Sequence, residues 1–128
     1  MSVSSQVTVL SLLMPEGVLS SQCPSRTVLD HVTNKWGALV LVALSGQTLR
    51  WSELRRVVEG ISEKMLGQTL RSLADDGLVH REAASTIPPR VDYSLTDRGR
   101  ALTDRLLPLM EWVATNAGEI LEGRCRAR

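Results

Sequence analysis

Apolar residues recur every three or four positions along most of the chain after residue 23, which is the spacing of one face of an α-helix. Val28, Leu29 and Val32 predict a first helix. Pro24 suits the first position of that helix, because a proline there loses no helical hydrogen bond. The helix is predicted to end near Asn34.

The run 36–44 is almost wholly apolar, so periodicity alone does not distinguish a helix from a strand. Its alanine and leucine content, and the Ser45-Gly46 pair that follows, favour a buried second helix that forms the core. Residues 47–50 are predicted to be a short extended connector. A third helix follows, with Leu54, Val57 and Val58 on one face and Gly60 at its close.

The fourth helix is predicted to run from Glu63 to about Asp76. Ser62 is a natural N-cap, and Glu63 complements the positive end of the helix dipole. Gly77 is the expected left-handed stop. One face of this helix carries a leucine stripe at helical spacing, formed by Leu66, Leu70 and Leu73.

Two short β-prone runs, 78–81 and 91–95, then predict a hairpin with a long tip. A last helix begins at 96–99, and Pro108 is expected to kink it. Its apolar stripe continues for five turns, longer than the domain needs internally, and so predicts a partner helix from a second copy. The stripe consists of Leu102, Leu106, Leu109, Val113, Ala117 and Ile120.

This order of elements predicts a mainly α fold with a small β-hairpin wing, the winged helix-turn-helix. In that fold the second helix of the motif enters the DNA major groove and the hairpin reaches the neighbouring backbone. The expected organisation is an N-terminal arm over 1–22 and a winged helix-turn-helix domain over 23–128 that includes a C-terminal dimerisation helix.

The outward face of the fourth helix supplies the candidate base-reading residues. At about 100° per residue, Lys64, Gln68 and Arg71 lie opposite the leucine stripe, with Gly67 and Ser72 beside them. Gln pairs bidentately with adenine, and Arg or Lys with guanine. A small Gly67 would let the helix lie close to DNA. The alternative interpretation is a solvated polar face without a ligand, which is the usual role of such residues on an arbitrary helix.

Composition narrows the class of partner. The 128 residues fit one domain, and 43% hydrophobic and 23% charged residues are typical of a globular chain. Four scattered aromatic residues argue against a stacking platform for single strands. Fifteen basic residues against fourteen acidic ones leave a net charge of +1, so DNA binding must depend on local placement. Acidic residues such as Asp75 and Asp76 are expected behind or beyond the DNA face, with Arg90 of the wing on it.

Other kinds of site have little support. The two cysteines and two histidines are far apart, which argues against a metal site, and the chain contains neither a glycine-rich phosphate loop nor a Gly-x-Ser-x-Gly motif. We therefore expect no enzyme activity and no cofactor. The start lacks a basic signal-peptide region, and the apolar run 7–14 is too short to span a membrane, so a cytoplasmic protein is expected.

A series of short motifs extends in order from the first helix to the last. They are Cys23-Pro24, Asn34-Lys35-Trp36, RWSELRR at 50–56, GISEKML at 60–66, LRSL at 70–73, DGLV at 76–79, PPRVDYSLT at 88–96, Gly99 and Trp112. Together they make the chain resemble the HxlR-type winged helix-turn-helix regulators of bacteria. The resemblance implies a homodimeric, DNA-binding transcriptional regulator in which residues 62–71 read bases, the loop before Val91 forms the wing, and the first and last helices dimerise.

The chain departs from the family pattern at a few positions. Gly67 stands where the family commonly has a polar residue, and Asn34 stands where it often has glycine, so an operator sequence cannot be transferred. Ala83-Ala84 replace bulkier wing residues, which implies weaker wing contacts. On the DNA-contacting surface we therefore count Ser62, Lys64, Gly67, Gln68, Arg71 and Arg90.

Cys23 is the candidate sensor, because several family members sense oxidants or electrophiles through a cysteine at the matching position. A thiolate is favoured at a helix N-terminus near Arg26, and the thiolate is the reactive form. The alternative is a small packing residue without chemistry. A small-molecule effector between dimer helices, near Leu106, Met110 and Val113, is a further alternative.

The leading hypothesis is a sequence-specific regulator of double-stranded DNA that binds a pseudo-palindromic operator as a homodimer. The near-neutral charge keeps a second hypothesis open, a winged-helix protein-interaction or dimerisation module that does not read bases.

Overall fold

The computed structural model describes Leu19 and residues 24–127, with the last three described by their backbone alone. Five helices and three short strands make up this part of the chain. In chain order they are α1 (Ser25–Thr33), α2 (Lys35–Ala43), β1 (Leu49–Arg50), α3 (Trp51–Val57), α4 (Glu63–Asp75), β2 (Val79–Ala84), β3 (Arg90–Leu95) and α5 (Asp97–Ala127).

The predicted core helix is confirmed as α2. Its apolar run has no polar face because other helices surround it: α2 packs against α1, α3, α4 and α5. Val40 and Leu41 are fully buried, and Leu44, just beyond the helix, is 1% exposed. Burying a leucine of this kind stabilises the fold by about 1.5–3 kcal/mol. The leucine stripe of α4 completes the core, with Leu66, Leu70 and Leu73 all buried.

Side-chain caps fix where three helices begin. Asn34 Oδ1 accepts a hydrogen bond from the Trp36 N–H at 2.9 Å, and Ser62 Oγ accepts one from the Met65 N–H at 3.0 Å. The second of these confirms Ser62 as the N-cap of α4. At α3, Glu53 Oε1 accepts from the Arg50 N–H at 2.9 Å.

This backbone hydrogen bond and the positive charge of Arg50 lower the pKa of Glu53 below its ordinary value of 4.5. The cap therefore contributes stability above that ordinary pKa and loses it as the pH falls through the lowered value.

The sheet is antiparallel with the strand order β1-β3-β2. The connector predicted over 47–50 therefore contains a strand, because Leu49 and Arg50 pair with Tyr93 and Asp92 of β3. The β2–β3 hairpin is confirmed, and β2 extends to Ala84 rather than ending at Arg81.

One prediction about apolar residues fails on α3, and another agrees with the structure on α5. Val57 was expected on the same inner face as Leu54 and Val58, but it is 54% exposed while the other two are buried. The Val58 N–H still donates to the Leu54 carbonyl at 2.9 Å, so Val58 lies one turn after Leu54 on the buried side, while Val57 lies on the exposed side. On α5 the stripe is buried at Leu106 and exposed from Leu109 onward, as expected for a face without a partner in its own protomer.

A close backbone contact joins the hairpin to α5. Thr96 Oγ1 donates to the Gly77 carbonyl at 2.6 Å and accepts from the Gly99 N–H at 3.0 Å. An ideal Cβ at Gly99 would lie 2.0 Å from the Leu78 carbonyl oxygen. Only glycine therefore permits the start of α5 to pass this close to the strand.

The predicted arm over 1–22 lies outside the described residues apart from Leu19, which is exposed and whose carbonyl accepts a hydrogen bond from Arg26 at 2.9 Å. No helix in the described part of the chain is both long enough and apolar enough to cross a bilayer.

We predict that Gly99→Ala destabilises the protein by about 2–3 kcal/mol, because the new methyl group forces the α5 backbone away from Leu78. The matched variant is Gly118→Ala on the same helix, where a Cβ meets nothing within 4 Å and helix propensity improves stability by up to about 1 kcal/mol. Urea unfolding at one fixed protein concentration measures both. Equal stability of the two variants would contradict the close-contact argument.

Candidate nucleic-acid interface

The face of α4 that turns away from the core carries the residues predicted to read bases. Lys64, Gln68 and Arg71 are all exposed, on the side opposite the buried leucines. Ser62 is exposed at the N-terminus of α4, where its oxygen already accepts the capping hydrogen bond. The helix thus presents flexible donors at its surface while its inner face fixes its position.

Ion pairs separate the arginines into two groups. Within the described residues, four arginines pair with a carboxylate, namely Arg50 with Glu53, Arg55 with Glu63, Arg90 with Asp92, and Arg100 with Asp97. Lys64 and Arg71 have no ion pair with any described residue. Their positive charges are therefore available to a phosphate or a base without first losing an internal partner.

Gly67 lies at the side of the outward face, next to α3. It is half-buried, and a Cβ there would lie 3.6 Å from Trp51 Cη2. This glycine therefore faces Trp51, the first residue of α3, at the side of α4. Because glycine has no side chain, there is open space between α4 and α3 at this position.

That space is a cleft of about 390 Å³ between α3, α4 and the sheet. It is lined by Trp51, Gly67, Leu70, Arg71, Ala74, Asp75, Arg81 and Tyr93. Arg71 lines the cleft from the outward face of α4. Asp75 lines the same cleft, so the expectation that this carboxylate falls behind or beyond the face is wrong. Asp75 is four residues after Arg71, and one helical turn places both on one side of α4.

Arg81 is a residue that the sequence argument missed. It is exposed on β2, directly opposite Tyr93 of β3, and it has no ion pair with any described residue. Alternate residues of a strand share a face, so Arg81 lies on the same side as Val79, toward α4. The period-two alternation could have found it, but only with the hairpin register known.

The outer face of the wing places two carboxylates close to one arginine. Arg90 Nε lies 3.1 Å from Asp92 Oδ1, and Asp92 is directly opposite Glu82 in the hairpin. His80 Nε2 lies 3.8 Å from Glu82 Oε2. Like charges directly across a hairpin repel, and Arg90 offsets part of that repulsion. The expected phosphate contact of Arg90 therefore competes with Asp92.

A partly buried contact joins α1 to the end of α4. His31 Nδ1 lies 2.6 Å from Asp76 Oδ2, and these side chains are 31% and 13% exposed. Asp76 is the C-cap of α4, so this contact connects α1, which is predicted to dimerise, directly to α4. Asp76 thus lies away from the outward face, as expected. Cys23, the candidate sensor before α1, lies outside the described residues.

Large apolar side chains remain exposed on α1 and α5. On α1 they are Val28 and Leu29, at 41% and 42%. On α5 they include Leu109 at 56%, Trp112 at 58% and Val113 at 47%. Several large apolar side chains exposed on one helix, as on α5, are a candidate interaction site in a globular protein.

Comparison with known proteins gives consistent matches. A family model described as HxlR-like helix-turn-helix matches residues 31–120. YtfH of Escherichia coli (strain K12), described as an uncharacterized HTH-type transcriptional regulator, is 45% identical over 120 residues, which are 94% of this chain and 95% of YtfH.

Solved structures agree with that match. The transcriptional regulator YtfH from Salmonella typhimurium is 45% identical, with a TM-score of 0.80, over 85% of this chain and 97% of that one. The redox regulator HypR in its oxidized form is 38% identical, with a TM-score of 0.68, over 73% of this chain and 97% of that one. The mostly helical fold with its antiparallel hairpin is therefore confirmed as a winged helix-turn-helix.

Proposed function

Because the chain belongs to the HxlR-like helix-turn-helix family, and is therefore a transcriptional regulator rather than an enzyme, we propose that it binds a double-stranded DNA operator as a homodimer. One observation carries the proposal: Lys64 and Arg71, which form no ion pair with the part of the chain that the structure describes, flank Gln68 on the exposed face of a helix whose opposite face is buried in the core. Such a helix keeps its orientation when DNA approaches.

In the proposed complex α4 lies in the major groove, and the β2–β3 hairpin follows the adjacent backbone. Gln68 pairs with adenine, and Lys64 and Arg71 pair with guanine or phosphate. Ser62 stands at the positive end of the helix dipole, where a phosphate is favoured. Gly67 contributes no side chain and allows close approach.

The wing contributes through two arginines in this proposal. Arg81 already faces α4 without an ion pair, so it is added to the sequence-predicted contacts. Arg90 must exchange Asp92 for a phosphate, which reduces its net gain because an existing charge-assisted bond is lost. The predicted weakness of the wing therefore has a cause in charge as well as in the small Ala83-Ala84 pair.

A second copy covers the exposed apolar faces of α1 and α5 in the proposed dimer. Two-fold symmetry then places two α4 helices about 34–36 Å apart along the duplex, which fits a pseudo-palindromic operator. The contact between His31 and Asp76 connects the dimer surface to the recognition helix. We expect the protein to act in the cytoplasm.

For regulation we propose that oxidation or alkylation of Cys23 changes the position of α1 and lowers DNA affinity. Support comes from the direct contact between α1 and the C-cap of α4, and from the similarity to HypR, which is described as a redox regulator. A shift of α1 by a bulky adduct would be transmitted through His31 to the recognition helix.

We predict that the triple variant Lys64→Ala/Gln68→Ala/Arg71→Ala loses at least about a hundredfold in specific affinity, because paired contacts worth about 1–3 kcal/mol each disappear from both half-sites. Gel-shift titration on DNA upstream of its own coding region, with competitor DNA, measures the loss. The control Arg105→Ala/Arg124→Ala also removes two positive charges, but from α5, away from the proposed DNA-contacting face. Both variants are checked as dimers by sedimentation. Normal operator binding by the triple variant would favour the interaction-module hypothesis.

We predict that Val113→Asp raises the dimer dissociation constant at least about a hundredfold, because the two-fold axis buries two unpaired carboxylates. Sedimentation velocity over a concentration series measures the shift. Thr115→Asp places the same charge on the opposite side of α5 and should leave the dimer intact. If the two variants associate equally, the proposed α5 interface is wrong.

We predict that diamide or a quinone lowers the DNA affinity of the wild type about tenfold or more and leaves Cys23→Ser unaffected. Cys125→Ser, which removes the other cysteine, should respond like the wild type. Fluorescence anisotropy with labelled operator measures all three proteins before and after treatment. An equal response of wild type and Cys23→Ser would exclude Cys23 as the sensor.

A further inference from the structure

The cleft beside α4 differs chemically from a surface that only meets DNA backbone. A phosphate is recognised by positive charge and hydrogen-bond donors, and it needs no aromatic surface beneath it. This cleft has Trp51 and Tyr93 in its lining, together with Leu70 and Ala74. Its volume of about 390 Å³ lies within the range of small-molecule pockets, which are mostly apolar with a few placed polar groups.

Gly67 keeps this cleft open at a cost to its helix. A glycine inside a helix destabilises that helix relative to alanine. Sterics do not require it here, because a Cβ would make ordinary van der Waals contact with Trp51 Cη2 at 3.6 Å. A longer side chain from this position would extend over the Trp51 ring and fill the cleft. The effect of the glycine is therefore open space next to an aromatic ring.

The charges around the cleft suit one negative charge. Arg71 and Arg81 supply two guanidinium groups, and neither has an ion pair with any described residue. Asp75 supplies one carboxylate to the same lining without pairing with either of them. Two positive groups against one negative group leave a net charge of +1. Guanidinium groups bind planar carboxylates in a bidentate manner.

We propose that this cleft binds a small planar aromatic carboxylate as a monoanion, and that its binding there excludes DNA. The ring lies over the space left by Gly67, against Trp51, and the carboxylate pairs with Arg81 and Arg71. The exclusion of DNA rests on the proposed function, since Arg71 cannot pair with the ligand and with the operator at once. The site itself does not depend on DNA binding.

The site is distinct from the effector position expected from the sequence. That expectation placed a ligand between dimer helices, near Leu106, but Leu106 is 9% exposed and belongs to the core of its own protomer. The cleft beside α4 is instead complete within one protomer. Each copy in a dimer therefore carries its own site.

The first experiment measures ligand binding without DNA. 4-Fluorobenzoate is titrated with the protein and followed by ¹⁹F NMR, with 4-fluorobenzamide as its neutral isostere and inorganic phosphate as a competitor. We expect millimolar affinity for the carboxylate, the scale for about ten heavy atoms, and at least tenfold weaker binding of the amide. Phosphate should displace it poorly, because phosphate cannot use the aromatic lining.

Variants of the cleft define where the probe binds. Gly67→Gln should reduce binding at least tenfold by filling the cleft, whereas Gly67→Ala adds only a methyl group and should stay within about threefold of wild type. Arg81→Gln should also lose at least tenfold, and Asp75→Asn should bind more tightly because a repulsive carboxylate is gone. Arg105→Gln on α5 is the matched arginine control and should bind as the wild type does.

The second experiment adds the operator. Saturating 4-fluorobenzoate should weaken operator binding by the wild type, and should have no effect on whatever operator binding Arg81→Gln retains. Failure to bind the carboxylate, equal binding of the amide or of phosphate, or binding unaffected by Gly67→Gln and Arg81→Gln overturns the site. Binding in the cleft without loss of operator affinity overturns the exclusion of DNA. Carboxylate binding by a protein that binds no operator leaves the site supported and refutes the proposed function instead.

Discussion

Burial of the leucine face of α4 is the constraint on which the rest of the interface depends. Leu66 and Leu73 are fully buried against the core built on α2, so the rotation of α4 about its axis is fixed by packing. That rotation decides which side chains face outward, where Gly67 meets Trp51, and on which side Arg71 and Asp75 lie together. The Ser62 cap fixes the starting point of the same helix. The chemistry of the surface is thus a consequence of apolar packing beneath it.

Helical periodicity predicts most of this fold because it is a local property. The positions of α1, α2, α4 and the hairpin follow from spacing, caps and glycine stops, and so does the outward placement of Gln68. Tertiary contacts are not local, and the sequence argument fails where they matter. Strand β1 exists only through its pairing with β3, and the position of Arg81 beside α4 follows only from the hairpin register. Helical spacing alone puts Asp75 on the side of Arg71, but the cleft that both residues line forms only where the sheet packs beside α4.

The ion pairs show how a chain with a net charge near zero can still have a locally positive surface. Carboxylates hold several arginines at the ends of α3, on the wing and at the start of α5, whereas Lys64, Arg71 and Arg81, on and beside α4, have no ion pair among the described residues. Local charge, rather than the total, therefore distinguishes this surface. The same arrangement allows a small cleft to carry one net positive charge inside a chain that is close to neutral overall.

The carboxylates of the wing have a consequence for the search along a genome. Glu82 and Asp92 are opposite each other across the hairpin, and Arg90 is already paired with Asp92. In the proposed complex, the outer face of the wing therefore adds little to the attraction for a random stretch of duplex. Residence time on the wrong sequence shortens when the sequence-independent attraction is weak. For a dimer of such chains, this hairpin would favour frequent release and re-encounter over long sliding.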